Sequence, residues 1–248
     1  MGRRRINDTS HPDASLTDDF WLQFGDNPQP PMREKIIYLT MDAVAERGPA
    51  NFNSAEVCDR LGITHPMVNH YFDNRDGLLA VTAFVVYDRH IRSVWDAVSK
   101  APSDAIKRLK VWMRAIVNSN KSMGGWGAVL NYPLTSLTVT TLLDSQFREE
   151  INELFEWNLG CLAILISDVK KGTLSELPTG INPELREELT SQPEIVSLVS
   201  SVAWAALGVA VWYSGQHLAS AQVPEAIAQR EALIESHIDH VVNTLNPI

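Results

Sequence analysis

Apolar residues recur at helical spacing along most of this 248-residue chain. The pattern begins at Arg33, and apolar positions at i, i+3, i+4 and i+7 continue until Gly48 and Pro49 end the first helix. No stretch alternates convincingly between apolar and polar residues, as a half-buried strand would. The sequence therefore predicts an all-α protein.

Two short helices follow the first one. Asn53 provides an N-cap for the second helix, with Glu56 three residues on, and Gly62 ends it. Thr64 is placed to cap the third helix, whose first turn contains Pro66, where a missing N–H does no harm. A long helix is predicted from about Arg75 to Val98, and further helices at about 103–121, 128–141, 144–171, 194–219 and 225–245.

The same pattern divides the chain into three parts. Residues 1–31 contain four prolines, five aspartates and only a short apolar cluster, which favours a mostly disordered arm. Residues 32–80 have the layout of a helix-turn-helix: a support helix, a tight turn containing Gly62, and a second helix with one face free for a major groove. Residues 81–248 are predicted to form a larger helical domain.

The free face of the third helix carries side chains that can reach phosphates or bases. These are Thr64, His65, Met67, Asn69, His70 and Tyr71. Their packed counterparts are Val57, Cys58, Leu61, Ile63, Val68 and Phe72. A three-helix unit of this kind also occurs as a protein-interaction module, so the pattern alone leaves DNA reading and protein binding open.

The stretch from Arg33 to Ala80 resembles the DNA-binding domain of TetR-type, tetracycline-repressor-like regulators. The residues that carry the resemblance are Phe52, Glu56-Val57-Cys58, Gly62-Ile63-Thr64, His70-Tyr71-Phe72, Arg75 and Leu78-Leu79. The resemblance implies a ligand-responsive transcriptional regulator, usually a repressor, that binds palindromic operator DNA as a homodimer and is released by a small-molecule effector. Beyond Leu79 the likeness is one of length and helical content.

The resemblance also implies roles for individual residues. The positions that correspond to phosphate contacts are Asn53, Ser54, Tyr71 and Arg75. The positions that correspond to base-facing side chains are His65, Met67 and Asn69. The family commonly has Lys where this chain has His65, a small residue at Pro66 and Tyr at Asn69, so an unusual operator and weaker phosphate affinity are expected.

The charge balance qualifies this prediction. The chain has a formal net charge of -9, and residues 32–80 carry five basic against seven acidic side chains. DNA binding must therefore depend on local placement and on backbone N–H groups at helix starts. Arg3, Arg4 and Arg5 either reach a groove or form a solvated tail, and the sequence leaves both open.

The last two long helices are predicted to form a homodimer interface. The 194–219 helix is apolar nearly all round and rich in small residues, so it must be covered on every side. Two copies of this helix and its partner would make a four-helix bundle, as the resemblance also implies. The uncharged stretch Ile195–Val223 is long enough to span a membrane, but eight Ser, Gln and His residues and the lack of a flanking basic cluster favour a buried helix.

Aromatic residues on the central helices predict an effector pocket, by resemblance to the cavity of TetR-type proteins. The candidates are Trp112, Ile116, Trp126, Tyr132, Trp157, Cys161 and Trp204. Few charges lie among them in the sequence, so a small apolar or aromatic effector held by one or two hydrogen bonds is expected. Bulky rings are also common core residues, and core packing is the alternative for each.

Other classes of function find little support. No phosphate loop, serine nucleophile elbow, zinc-binding His-Glu pair or Cys-His nucleophile motif is present, so neither catalysis nor a cofactor is predicted. Cys58 and Cys161 lack the spacing of a disulfide framework or thiolate metal site, which fits a reducing cytoplasm. His237 and His240 share a helix face without a third ligand, and we interpret them as a dimer-face pair rather than a metal site.

Overall fold

The computed structural model of the protein describes residues 13, 15–122, 126, 137–180, 191–220 and 224–245. In these ranges it contains α-helices, a 3₁₀ turn at Pro49–Asn51 and no strand, which confirms the all-α prediction. The helices are α1 (Asp18–Leu22), α2 (Met32–Arg47), α3 (Ser54–Leu61), α4 (His65–Phe72), α5 (Arg75–Ser99), α6 (Ala105–Ser122), α7 (Leu137–Lys171), α8 (Pro193–Ser220) and α9 (Pro224–Leu245).

The helices α2, α3 and α4 and the first part of α5 enclose an N-terminal core. Its members include Ile36, Leu39, Val44, Phe52, Val57, Val68, Phe72 and Leu78. The Asn53 side chain accepts a hydrogen bond from the backbone N–H of Ala55 at 3.0 Å, as the predicted cap requires. Thr64 holds the N-cap position of α4 with extended backbone but makes no side-chain capping hydrogen bond, so only the position of this cap was predicted correctly.

The N-terminal segment packs on this core through its aromatic cluster. Trp21 in α1 is buried, and the Phe24 ring stacks on Tyr38 of α2 with centroids 5.0 Å apart. Upstream of α1, the Asp13 carboxylate is 3.2 Å from the Arg60 guanidinium of α3. The disorder predicted for residues 1–31 therefore does not include residues 15–31, because their short apolar cluster packs on the N-terminal core. Arg3, Arg4 and Arg5 lie outside the described residues.

The helices α5 to α9 form a second, larger core. Buried positions of all five helices meet there, among them Ile91, Val98, Leu109, Met113, Leu162, Ile166, Val202 and Ile238. The sequence predicted separate helices at 128–141 and 144–171, whereas α7 runs from Leu137 to Lys171 with one residue of non-helical backbone, Phe147 (φ -133°, ψ 20°). The Phe147 ring stacks on Phe84 of α5, with centroids 4.4 Å apart.

The helix α8 is less covered than an apolar helix normally is. The segment Pro193–Trp212 has a mean hydropathy of 2.0, and only 22% of its residues are buried within the protomer. By length and composition this segment could cross a membrane. Its inner residues Val199, Val202, Ala206 and Ala210 pack into the second core, so the uncovered surface is its outer face.

The turn between α4 and α5 requires glycine at position 77. The Asn74 side chain caps α5 by accepting a hydrogen bond from the Gly77 backbone N–H at 2.9 Å. A Cβ atom at Gly77 would overlap the backbone carbonyl of Phe72, which belongs to α4 and cannot rotate away. The close approach of the two helices therefore depends on the missing side chain.

We expect Gly77→Ala to destabilise the protein by roughly 1–3 kcal/mol, the usual cost of overpacking. The free energy of unfolding in urea measures this effect. Gly25→Ala is the matched control, since its Cβ would have only ordinary contacts with Tyr38 and Arg89, and its effect should stay within about 0.5 kcal/mol. Equal stability of Gly77→Ala and the unaltered protein would contradict the proposed close approach.

Candidate nucleic-acid interface and effector core

The helix α4 is buried on one face and exposed on the other. Val68 and Phe72 anchor it, with 1% and 3% of their surface exposed. The predicted DNA-facing residues Thr64, His65, Met67, Asn69, His70 and Tyr71 are all exposed. The outer face of α4 thus presents hydroxyl, amide, imidazole and thioether groups and no Lys, Arg, Asp or Glu side chain, a composition suited to base edges.

The start of α3 lies beside this face in the three-helix unit. Asn53 is exposed and Ser54 half-buried, and both sit where the first N–H groups of α3 are free of helical partners. A helix start of this kind offers donors to an anion such as a phosphate.

Arg75 has partners within the protein. Its Nη2 group donates to the Pro49 carbonyl at 2.6 Å, its Nε to the Phe52 carbonyl at 3.1 Å, and its Nη1 to the Asp76 carboxylate at 3.1 Å. The guanidinium also lies over the Phe52 ring, 5.7 Å from the centroid. Arg75 therefore connects the start of α5 to the segment before α3. The sequence predicted a phosphate contact for Arg75 but not this positioning role.

The other basic side chains of residues 32–80 also have partners. Arg47 pairs with Glu56, and Arg60 lies 3.0 Å from the Asp42 carboxylate. Arg33 lies over the Phe72 ring and Lys35 over the Trp21 ring, at 5.4 and 5.3 Å from the centroids. Positive charge in this part of the chain is thus largely used to hold the three-helix unit together.

Residues 36–82, which cover these three helices, match the profile of the bacterial regulatory proteins of the tetR family. Residues 36–82 thus resemble the DNA-binding domain of the tetR family. It is also similar to the HTH-type transcriptional regulators BetI of Burkholderia cenocepacia (strain HI2424), with 33% identity over 89 residues, and BetI 1 of Chromohalobacter salexigens, with 27% identity over 93 residues. These matches cover 36% and 37% of this chain and 43% and 44% of the relatives, so the chain matches less than half the length of either.

A crystal structure assigned to a transcriptional regulator from Pseudomonas aeruginosa PAO1 overlaps 85% of this chain and 90% of its own. The TM-score is 0.45 and the sequence identity 17%. The sequence matches concern only the N-terminal helices of the chain. The helical remainder is interpreted from its own residues.

Four of the predicted effector residues meet in the second core. Trp112, Ile116 and Cys161 are buried there, and the half-buried Trp157 packs against them. Trp95, which the prediction left out, lies between Trp112 and Trp157, with ring centroids 6.4 and 6.3 Å away. Its indole N–H donates to the Asn158 side chain at 2.9 Å, a contact across 63 positions that no local pattern signals.

Cys161 and Trp157 are both tied to the segment that follows α7. The Pro178 carbonyl accepts the Trp157 indole N–H at 2.8 Å and lies 3.7 Å from the Cys161 sulfur. Burial raises the pKa of the Cys161 thiol to about 12, so the reactive thiolate is suppressed. These contacts favour a packing role for Cys161.

The remaining predicted effector residues lie elsewhere. Trp204 is on the outer face of α8 with 71% of its surface exposed, because the helical phase turns it away from the core that contains Trp112. Trp126 is buried in the N-terminal core, where its indole N–H donates to the Met41 carbonyl of α2 at 2.8 Å. Tyr132 lies outside the described residues.

The Trp126 contact joins distant parts of the chain, since 85 positions separate it from Met41. We expect Trp126→Phe to lower the opening free energy of the α2 amides by about 0.5–1.5 kcal/mol, the usual net value of a hydrogen bond. Native-state hydrogen exchange measures this quantity residue by residue.

Trp157→Phe is the matched control for this experiment. It also removes an indole hydrogen bond, but the acceptor, the Pro178 carbonyl, lies in the second core region. We expect its effect near Pro178 and none on α2. Unchanged protection of α2 in Trp126→Phe would contradict a stabilising role for this contact.

Proposed function

We propose that this protein is a ligand-responsive transcriptional regulator of the tetR family, a repressor, that binds palindromic operator DNA as a homodimer in the bacterial cytoplasm and releases it when a small apolar or aromatic effector binds. The observation that carries the proposal is the exposed face of α4, held outward by buried Val68 and Phe72. The named relatives are transcriptional regulators, which favours this interpretation over catalysis.

The homodimer is supported by the uncovered faces of α8 and α9. Trp204, Trp212 and Leu233 have 71%, 42% and 59% of their surface exposed, and they line a groove of about 690 Å³ with His237 and His240. Exposed apolar surface of this kind marks an interface, and a second copy of the same two helices offers a complementary partner. Across the described residues no cluster of three potential metal ligands occurs, and we retain the dimer-face role for the two histidines.

The helix α5 offers a route from effector to DNA. This helix begins at Arg75 and ends at Ser99. Its first half packs in the N-terminal core and its second half in the second core. A ligand that prefers one tilt of α5 changes the separation of the two α4 helices in a dimer, and it shifts the equilibrium only by its difference in affinity for the two states.

Selection from a random DNA pool with the full-length protein tests the DNA-binding proposal. We expect enrichment of a palindrome whose half-sites lie about one helical turn apart. Tyr71→Phe and Arg75→Ala should each weaken binding to all sequences by on the order of 1 kcal/mol, because each variant removes a hydrogen bond to a phosphate. Asn69→Ala should instead change the preferred base at one position of each half-site.

Two controls make this experiment specific. Tyr38→Phe makes the same change outside the predicted DNA-facing set, and its binding should equal that of the unaltered protein. Thermal unfolding of Arg75→Ala distinguishes an effect on phosphate binding from an effect of removing the hydrogen bonds to Pro49 and Phe52. If no sequence is enriched, the DNA-binding proposal fails.

Light scattering at micromolar concentration tests the homodimer. We expect the unaltered protein to have twice the protomer mass and Leu233→Glu to be monomeric, because a buried unpaired charge costs several kcal/mol. Leu174→Glu is the control, since Leu174 is 45% exposed in the segment after α7 and does not line the α8–α9 groove. A monomeric unaltered protein that floats with lipid vesicles would show that a membrane, and not a second copy, covers α8.

A further inference from the structure

A second cleft lies between α5 and α7, apart from the α8–α9 groove. Its volume is about 330 Å³, at the lower end of the range for small-molecule sites. Phe84, Asp88 and Arg92 line it from α5, and Glu150, Glu153 and Trp157 from α7. Of the effector residues predicted from the sequence, only Trp157 borders it.

The charges around this cleft are unbalanced. Asp88, Glu150 and Glu153 bring three carboxylates, and Arg92 is the one basic residue among the described residues of the lining. Arg92 is paired with Asp88 at 2.8 Å. Among the described residues, Glu150 and Glu153 have no ion-pair partner, so the mouth of the cleft favours a positively charged occupant.

The aromatic walls are fixed in place. The Trp157 ring is held by the hydrogen bond from its indole N–H to the Pro178 carbonyl, and the Phe84 ring by stacking on Phe147. Fixed rings lose little freedom when they bind a ligand. Their faces attract cations through the negative potential of the π-system.

One cation of the protein already uses this chemistry. The Arg92 guanidinium lies over the Trp157 ring, 6.0 Å from its centroid, while it pairs with Asp88. The Arg92 side chain is 60% exposed, so a ligand can displace it at small cost. Arg92 thus acts as an internal competitor that occupies the aromatic face when no ligand is present.

We propose that the α5–α7 cleft binds a small organic cation, an alkyl or aryl ammonium group, with the charge facing Glu150 and Glu153 and the apolar part against Trp157 and Phe84. The proposal rests on the proposed effector response and adds a positive charge to its ligand, whereas the sequence predicted only an apolar or aromatic effector. The cleft is placed for such a response, since Phe84 belongs to α5 and stacks on Phe147, the residue of non-helical backbone in α7.

Equilibrium dialysis of the full-length protein, without DNA, tests the ligand class. The probe is benzyltrimethylammonium, and the comparison is its neutral isostere neopentylbenzene. We expect the cation to bind about tenfold more tightly, from one cation–π contact and two carboxylate pairs. Equal affinity for the two probes, or tighter binding of neopentylbenzene, would overturn the proposal.

Variants of the lining test the location. Glu153→Gln should weaken binding of benzyltrimethylammonium about two- to fivefold, as for other exposed charge pairs. Arg92→Met should strengthen it by a similar factor, because the internal competitor is removed. A site that serves only the structure, or one that takes an anion, would not bind the cation more tightly after removal of the Arg92 guanidinium.

Glu149→Gln is the matched control, since Glu149 lies on the same helix, has the same charge, and is outside the lining. Binding to Glu149→Gln should equal that of the unaltered protein, and a decrease as large as that of Glu153→Gln would overturn the assignment to this cleft. The cation-binding proposal and the DNA-binding proposal can fail separately. If the cation does not bind but a palindrome is enriched from the DNA pool, only the cation-binding proposal fails. If no palindrome is enriched but the cation binds in dialysis, only the DNA-binding proposal fails.

Discussion

The burial of α5 in two separate cores is the constraint on which the molecule depends. Its first half, through Leu78, Ala83 and Val86, belongs to the N-terminal core, and its second half, through Ile91, Val94 and Val98, to the larger one. Neither half can rotate without disturbing packed side chains, so α5 connects the two cores as one continuous helix. At 25 residues and 1.5 Å rise per residue, a tilt of about 5° displaces one end by roughly 3 Å.

Contacts outside α5 restrict this motion. Trp126 and Phe147 both come from beyond the N-terminal domain, yet they pack against its core, through Met41 and Phe84 respectively. An effector that strains or relieves these contacts has a physical means to bias the tilt. The tryptophans of this chain therefore do not share one pocket. Trp126 packs in the N-terminal core, Trp95 and Trp112 pack in the larger one, and Trp204 faces outward.

The sequence predicted best those features of the helix-turn-helix that depend on nearby residues. The Asn53 cap, the Gly62 turn and the alternation of buried Val68 with exposed Asn69 are all set by neighbours within one or two turns, and helix boundaries near them were predicted to within a residue or two. Positions in the larger core were harder to assign, since they depend on the phase and crossing of long helices. Trp204 and Trp157 look alike in the sequence, but a rotation of the helix places one outside and one beside a charged cleft. The local sequence pattern could not reveal that these charges line one cleft, because Asp88 and Glu153 are 65 positions apart.

The internal use of positive charge bears on how such a protein distinguishes its operator. Nonspecific affinity for DNA comes almost entirely from cations that displace counterions from phosphates. Here Arg47 and Arg60 are paired within the three-helix unit, and the exposed face of α4 carries amide, hydroxyl and imidazole groups. Hydrogen bonds to base edges depend on sequence, whereas phosphate contacts do not. A DNA-facing surface with few free cations has less general affinity for DNA and keeps its discrimination between sequences. In the regulator proposed above, such a surface would allow release from the operator after the loss of a few contacts.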